Sequence, residues 1–209
     1  LAQVWFGLTG LIVLVGLCVQ AYDTAGVTTG RFKTPVSRMF NLLFFFTIES
    51  NIVLMLTCLL LALRLTGWGP VFAVFRLVGL VGITITGIVY YAVLKDLLDL
   101  HGAAYVSDVV LHTVSPLMAV LGWLVFGPRG LATARAAVLA VVFPAAYLAV
   151  MLARGPIVSW YPYPFVDVLS HGYLTVALNC VVVAVLFLAV AFGAARVDRW
   201  LDGRFVRAA

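Results

Sequence analysis

Few residues in this chain could take part in chemistry, and three groups of them share a spacing that invites it. Thr47, Ser50 and Asn51 stand at i, i+3 and i+4, on one face of a helix. Asp108 and His112 are one helical turn apart, and Ser115 follows on the same side. Trp160, Tyr161, Pro162, Tyr163, Pro164 and Phe165 interleave aromatic rings with prolines. A threonine hydroxyl is a weak nucleophile at neutral pH and needs a base within hydrogen-bond reach. Imidazole is the usual base near neutral pH, and a carboxylate one turn earlier can orient it through a ring nitrogen. Thr47 is therefore the candidate nucleophile, His112 the candidate base and Asp108 its orienting group. Ser50, Asn51, Tyr147 and Asn179 are candidates for stabilising an oxyanion or orienting the reacting groups. Each has a plainer reading. Helical threonines commonly bond the carbonyl four residues back, and amides and hydroxyls tie membrane helices together.

The elements that must position these residues follow from composition. Of 209 residues, 65% are hydrophobic and 10% charged, against roughly 25% charged in a soluble domain. A membrane-spanning helix needs about 20 apolar residues. Six runs qualify: Val4–Tyr22, Phe40–Leu63, Phe72–Leu94, Val109–Phe126, Ala136–Ala153 and Tyr173–Gly193. They predict an all-α polytopic membrane protein, a single domain of six transmembrane helices over residues 1–209. The first run is too long for a signal peptide and lacks its small-residue cleavage site. Cys18, Cys58 and Cys180 lie inside runs and are odd in number, which reads as apolar filler rather than a disulfide framework.

The net charge of +5 is spread over loop ends, a pattern that orients membrane proteins rather than one that binds nucleic acid. If the spans alternate, eight cations fall on one side (Arg64, Arg76, Arg129, Arg135, Arg196, Arg199, Arg204, Arg207) and five on the other (Arg31, Lys33, Arg38, Lys95, Arg154). That asymmetry predicts cytoplasmic termini. Spans two, four and six then all descend from the outer side, and Thr47, His112 and Asn179 lie roughly 6 to 10 Å below their starts. The expected result is one polar layer in the outer leaflet half, with little that is polar in the inner half. Above it, Trp160, Tyr161, Tyr163 and Phe165 form either a stiff lid over a substrate or an aromatic belt at the headgroups. Tyr90 and Tyr91 are expected in such a belt. Glu49 points away from the Thr47 face and requires a partner of its own.

Phe46-Thr47-Ile48, the run from Leu111 through His112 to Pro116, and Trp160 to Phe165 recur in this order in the androgen-induced-gene/ADTRP family. The chain resembles that family from the second span to Asn179. Its animal members are multi-span membrane hydrolases that cleave branched fatty-acid esters of hydroxy fatty acids. The resemblance implies Thr47 as the threonine nucleophile, His112 as its histidine, and a lipid ester from the bilayer as substrate. The chain looks like a bacterial branch, which implies the bacterial cytoplasmic membrane. Arginine dominates over lysine, in keeping with a GC-rich bacterial genome. One departure is clear: the animal pattern has an acid three residues after the threonine, where Ser50 stands here.

Two other readings compete. His101, His112 and His171, with Asp99, Asp108 and Asp167, suggest a metal-dependent membrane hydrolase, although no His-x-x-x-His pair is present. A lipid-binding or carrier protein without turnover would need only the cavity. The threonine mechanism itself requires no metal and no cofactor.

Overall fold

The computed structural model describes residues 1–63, 68–97 and 99–208, with side chains placed as far as Gly203. Arg64 and the side chains of Arg204 and Arg207, counted above, lie outside the described residues. The backbone is helical because a chain in lipid must satisfy its peptide groups internally. The elements run α1 (Ala2–Gly26), α2 (Pro35–Leu42), α3 (Phe46–Ala62), α4 (Pro70–Val89), α5 (Gly102–Val109), α6 (Ser115–Phe126), α7 (Ala134–Ala140), α8 (Val142–Val158) and α9 (Val168–Ala208). No strand occurs among the described residues. Five stretches are long and apolar enough to cross a membrane: Ala2–Gly26, Pro70–Leu97, Gly102–Phe126, Ala134–Val158 and Val168–Gly203. The protein is all-α and polytopic.

The expected second span is not one helix. It is broken between Leu42 and Phe46, and α2 and α3 meet at 69°, so a sixth span exists only if the bent pair counts as one. No glycine or proline marks the break, which falls in Leu43-Phe44-Phe45. Tertiary contacts hold it instead. The Tyr147 hydroxyl donates to the Phe44 carbonyl at 3.0 Å, and the Arg154 guanidinium lies 3.9 Å over the Phe44 ring. Arg154 also donates to Asn41 Oδ1 at 2.9 Å, tying α8 to α2.

Helices α1, α3 and α4 form the packed centre, with Val13, Val81 and Ile83 fully enclosed. Close approach of α3 and α4 depends on glycine. A Cβ at Gly82 would stand 2.9 Å from Ser50 Oγ. Two π-turns interrupt the regular ladder, Tyr90–Leu94 after α4 and Val110–Val114 between α5 and α6. The second precedes Pro116, where a kink is expected because proline cannot donate back to the preceding turn. Ser115 Oγ donates to the Val110 carbonyl at 2.8 Å and so helps satisfy the widened turn.

The far end of the bundle is less apolar than expected. Arg76, read above as a loop-end charge, is buried in α4 and donates to the carbonyls of Gly127 and Pro128. Asp198 is buried in α9, where its Oδ2 accepts from the Ala132 amide at 3.0 Å. Hydrogen bonding to backbone groups is what makes ionisable side chains tolerable at such depth.

Candidate active site

The break before α3 determines the setting of Thr47. Thr47 is the second residue of the new helix, so no helical carbonyl lies four residues back to occupy its hydroxyl. Thr57 and Thr84, deep in their helices, do bond back, to Val53 and Leu80. Thr47 Oγ1 instead lies 3.2 Å from His112 Nε2 and 3.3 Å from the Tyr163 hydroxyl. The residue is only 7% exposed.

His112 projects from the π-turn, one turn after Asp108. Its Nδ1 is 2.9 Å from Asp108 Oδ1 and 3.1 Å from the Asp108 carbonyl. Both neighbours accept, so the network assigns the proton to Nδ1 and leaves the Nε2 lone pair facing Thr47. Asp108 Oδ2 accepts from the Tyr90 hydroxyl, and the Tyr90 ring stacks on the imidazole at 4.3 Å with 17° between planes. The imidazole is thus held at its edge and on its face. Tyr90, expected in a headgroup belt, is a buried member of this site.

Tyr163, expected in a lid or an aromatic belt, reaches the centre. The Thr47 amide donates to its hydroxyl at 3.2 Å, which satisfies one of the orphan donors at the start of α3. Burial pushes this phenol above its ordinary range, so the hydroxyl remains a neutral donor at physiological pH. With Thr47 donating to His112, the Tyr163 proton is left to point at Thr47 Oγ1. The Tyr163 ring stacks on Phe165 at 5.3 Å, and Trp160 sits edge-on to Phe32 and Phe45 at 5.6 and 5.5 Å. Tyr161 turns away and packs against Gly155, where any Cβ would collide with its ring.

Three of the four other polar candidates bond to backbone carbonyls. Asn51 Nδ2 donates to the carbonyls of Thr47 and Leu111 at 2.8 and 3.2 Å, bracing α3 against the π-turn that carries His112. Tyr147 holds the Phe44 carbonyl as described, and Asn179 Nδ2 donates to the Phe165 carbonyl at 2.9 Å, anchoring the aromatic loop. Ser50 faces Gly82 and has no hydrogen-bond partner. None of these four points a free donor at Thr47. Asn51, Tyr147 and Asn179 position backbone segments in this arrangement, and the donor beside Thr47 Oγ1 is the Tyr163 hydroxyl, since the Thr47 amide is taken by Tyr163 and those of Ile48 and Glu49 by the Phe45 carbonyl.

Two cavities meet at Thr47 and Tyr163. One, of about 670 Å³, is lined by Asp108, His112, Arg38, Trp160 and Pro162 among others. The other, of about 210 Å³, is walled by apolar side chains of α4, α8 and α9 and has no charged lining residue. His101 pairs with Asp99 at the surface, whereas His112 pairs with Asp108. Among the described residues, no three His, Cys, Asp or Glu side chains converge in a way that could hold a metal ion. Comparison with protein-family models, curated proteins and solved structures found no match.

Proposed function

We propose that this protein is a membrane-embedded hydrolase of lipid esters, with Thr47 as nucleophile and His112 as general base. The observation that carries the reading is the 3.2 Å contact between Thr47 Oγ1 and His112 Nε2, with Nδ1 of the same ring held by Asp108. This is the nucleophile–base–orienter arrangement on which acyl transfer depends. The resemblance to the androgen-induced-gene/ADTRP hydrolases points the same way.

In the first step Thr47 Oγ1 attacks the ester carbonyl carbon while its proton passes to His112 Nε2. Negative charge develops on the carbonyl oxygen. The Tyr163 hydroxyl, 3.3 Å from Thr47 Oγ1, is the donor to that charge, and the N-terminus of α3 favours it through the helix dipole. Collapse breaks the bond to the alcohol oxygen, which takes the proton from His112 and leaves an acyl ester on Thr47. Water then gives a proton to His112, attacks the acyl carbon, and releases the acid as Thr47 regains its proton. Asp108 and Tyr90 hold the imidazole throughout.

Within this reading the substrate comes from the bilayer, the setting is the bacterial cytoplasmic membrane and the termini are cytoplasmic. The basic test is hydrolysis of medium-chain esters by purified protein in detergent or nanodiscs. Thr47→Ala should abolish turnover without unfolding the chain, because one hydroxyl contributes about 1 kcal/mol to stability. Full activity in a folded Thr47→Ala protein would end the proposal. Specific lipid binding without turnover in the wild type would favour a carrier instead.

A further inference from the structure

The two cavities that meet at Thr47 are chemically unlike, and the mechanism assigns them different halves of an ester. His112 lines only the larger one, which also carries the charged residues Asp23, Arg31, Arg38 and Asp108. The base that takes the Thr47 proton must return it to the departing alcohol oxygen, and must later activate water along the same path. The alcohol half therefore leaves on the His112 side. The acyl half stays bonded to Thr47 Oγ1 and has to extend the other way.

We propose that the apolar cavity between α4, α8 and α9 is the binding site for the acyl chain, open sideways to the hydrocarbon between α8 and α9. This rests on the hydrolase reading above and adds which half of the substrate is recognised, and where. Three observations support it. The lining includes Ile85, Val89, Leu148, Val183 and Phe187 and offers no charge to solvate a polar occupant. Ala145 on α8 and Ala184 on α9 both line the cavity and are exposed, on helices whose outward faces carry exposed Val142, Leu178 and Val185. An acyl chain can thus pass from lipid to Thr47 without crossing water. Finally, Thr86 lines the cavity with a buried hydroxyl that has no partner.

The placement of Thr86 is informative. Helix α4 packs Gly79 against Leu54 and Gly82 against Ser50, so the two helices run antiparallel. One further turn along α4 brings Thr86 level with Phe46 and Thr47. An unsatisfied hydroxyl there stands at the carbonyl end of the acyl site, not at its apolar depth. It is a donor available to the ester group of a bound substrate, which is what an orphaned buried hydroxyl requires.

The test uses two esters with the long chain on opposite sides, methyl dodecanoate and dodecyl acetate. Ala184→Phe fills the acyl cavity from a position exposed enough to accept the ring. It should lower kcat/KM for methyl dodecanoate by at least about tenfold and leave dodecyl acetate within about twofold. Ala145→Phe, on the opposite wall, should repeat the pattern. Thermal stabilisation of the protein by dodecanoate, a readout independent of turnover, should be present in the wild type and lost in both variants. Equal losses on the two esters, or a loss confined to dodecyl acetate, would overturn the assignment of halves. If dodecanoate stabilises the wild type in an Ala184-dependent way but neither ester is hydrolysed, the hydrolase reading falls and the acyl site stands. If the variants retain both dodecanoate binding and methyl dodecanoate turnover, the acyl site falls and the hydrolase stands.

Discussion

Removing one oxygen, in Tyr163→Phe, separates the catalytic part of this account from the structural part. The ring should stay where it is, because its stacking on Phe165 and its edge contact with Phe45 at 6.0 Å do not involve the hydroxyl. What is lost is an acceptor for the Thr47 amide at 3.2 Å and a donor beside Thr47 Oγ1 at 3.3 Å. The orphaned amide costs about 1–3 kcal/mol, partly offset because a phenol no longer has to be buried. The catalytic loss is larger. Removing one donor to a developing oxyanion costs on the order of 10²–10³ in kcat, about 2.7–4 kcal/mol. The two effects appear in different measurements, one in the melting temperature and one in kcat. KM should change little, since the hydroxyl is asked to act mainly in the transition state. The assay is steady-state hydrolysis of a chromogenic decanoate ester, with a melting curve on the same sample. A kcat within about threefold of wild type, less than ~1 kcal/mol of barrier, would refute the oxyanion role and reduce Tyr163 to a prop for α3.

Three further outcomes are expected. His112→Ala should lower kcat on the order of 10²–10⁴-fold, and combining it with Thr47→Ala should add almost nothing, because the two residues act as a unit; a double mutant whose losses multiply would count against the pair. Asp108→Asn should lower kcat while leaving ester affinity intact, and less severely than His112→Ala, because the Asp108 carbonyl remains as a second acceptor for Nδ1 at 3.1 Å; a loss equal to His112→Ala would show that the carboxylate does more than orient. Asn51→Leu should destabilise the protein by about 1–3 kcal/mol through loss of the donor to the Leu111 carbonyl and loosen the Thr47–His112 distance; unchanged melting and kcat would remove Asn51 as a brace.

How much of this was legible from the sequence depends on whether a feature is local. Asp108 and His112 are one turn apart on one helix, so their pairing can be read from spacing and survives the π-turn. The membrane class is equally legible, because long apolar runs admit few other structures in lipid. The break at Leu43-Phe44-Phe45 is not legible: three apolar residues with no glycine or proline read as continuous helix. It exists because Tyr147 and Arg154, a hundred residues away, satisfy and cover what the break exposes. The same holds for the partners of the polar candidates. Asn51, Tyr147 and Asn179 can be recognised as donors from sequence, but the carbonyls that claim them arise only from the fold. Tyr163 and Tyr161 are two residues apart in a loop with no period to tell them apart. The one that reaches Thr47 is decided by Gly155, which receives Tyr161, and by Asn179, which anchors the loop at Phe165. Tyr90 is more legible, since it ends the span whose short connector leads directly to Asp108 and His112.

In the proposed mechanism Thr47 Oγ1 forms a covalent bond to the substrate's acyl carbon. The most direct measurement is mass spectrometry of the protein after reaction with an alkyl fluorophosphonate, with peptide mapping of the adduct. A single phosphonyl adduct is expected on the peptide bearing Thr47, absent in Thr47→Ala and formed far more slowly in His112→Ala. An adduct on any other residue, labelling that persists in Thr47→Ala, or a folded wild type that takes no label at Thr47 would contradict that mechanism.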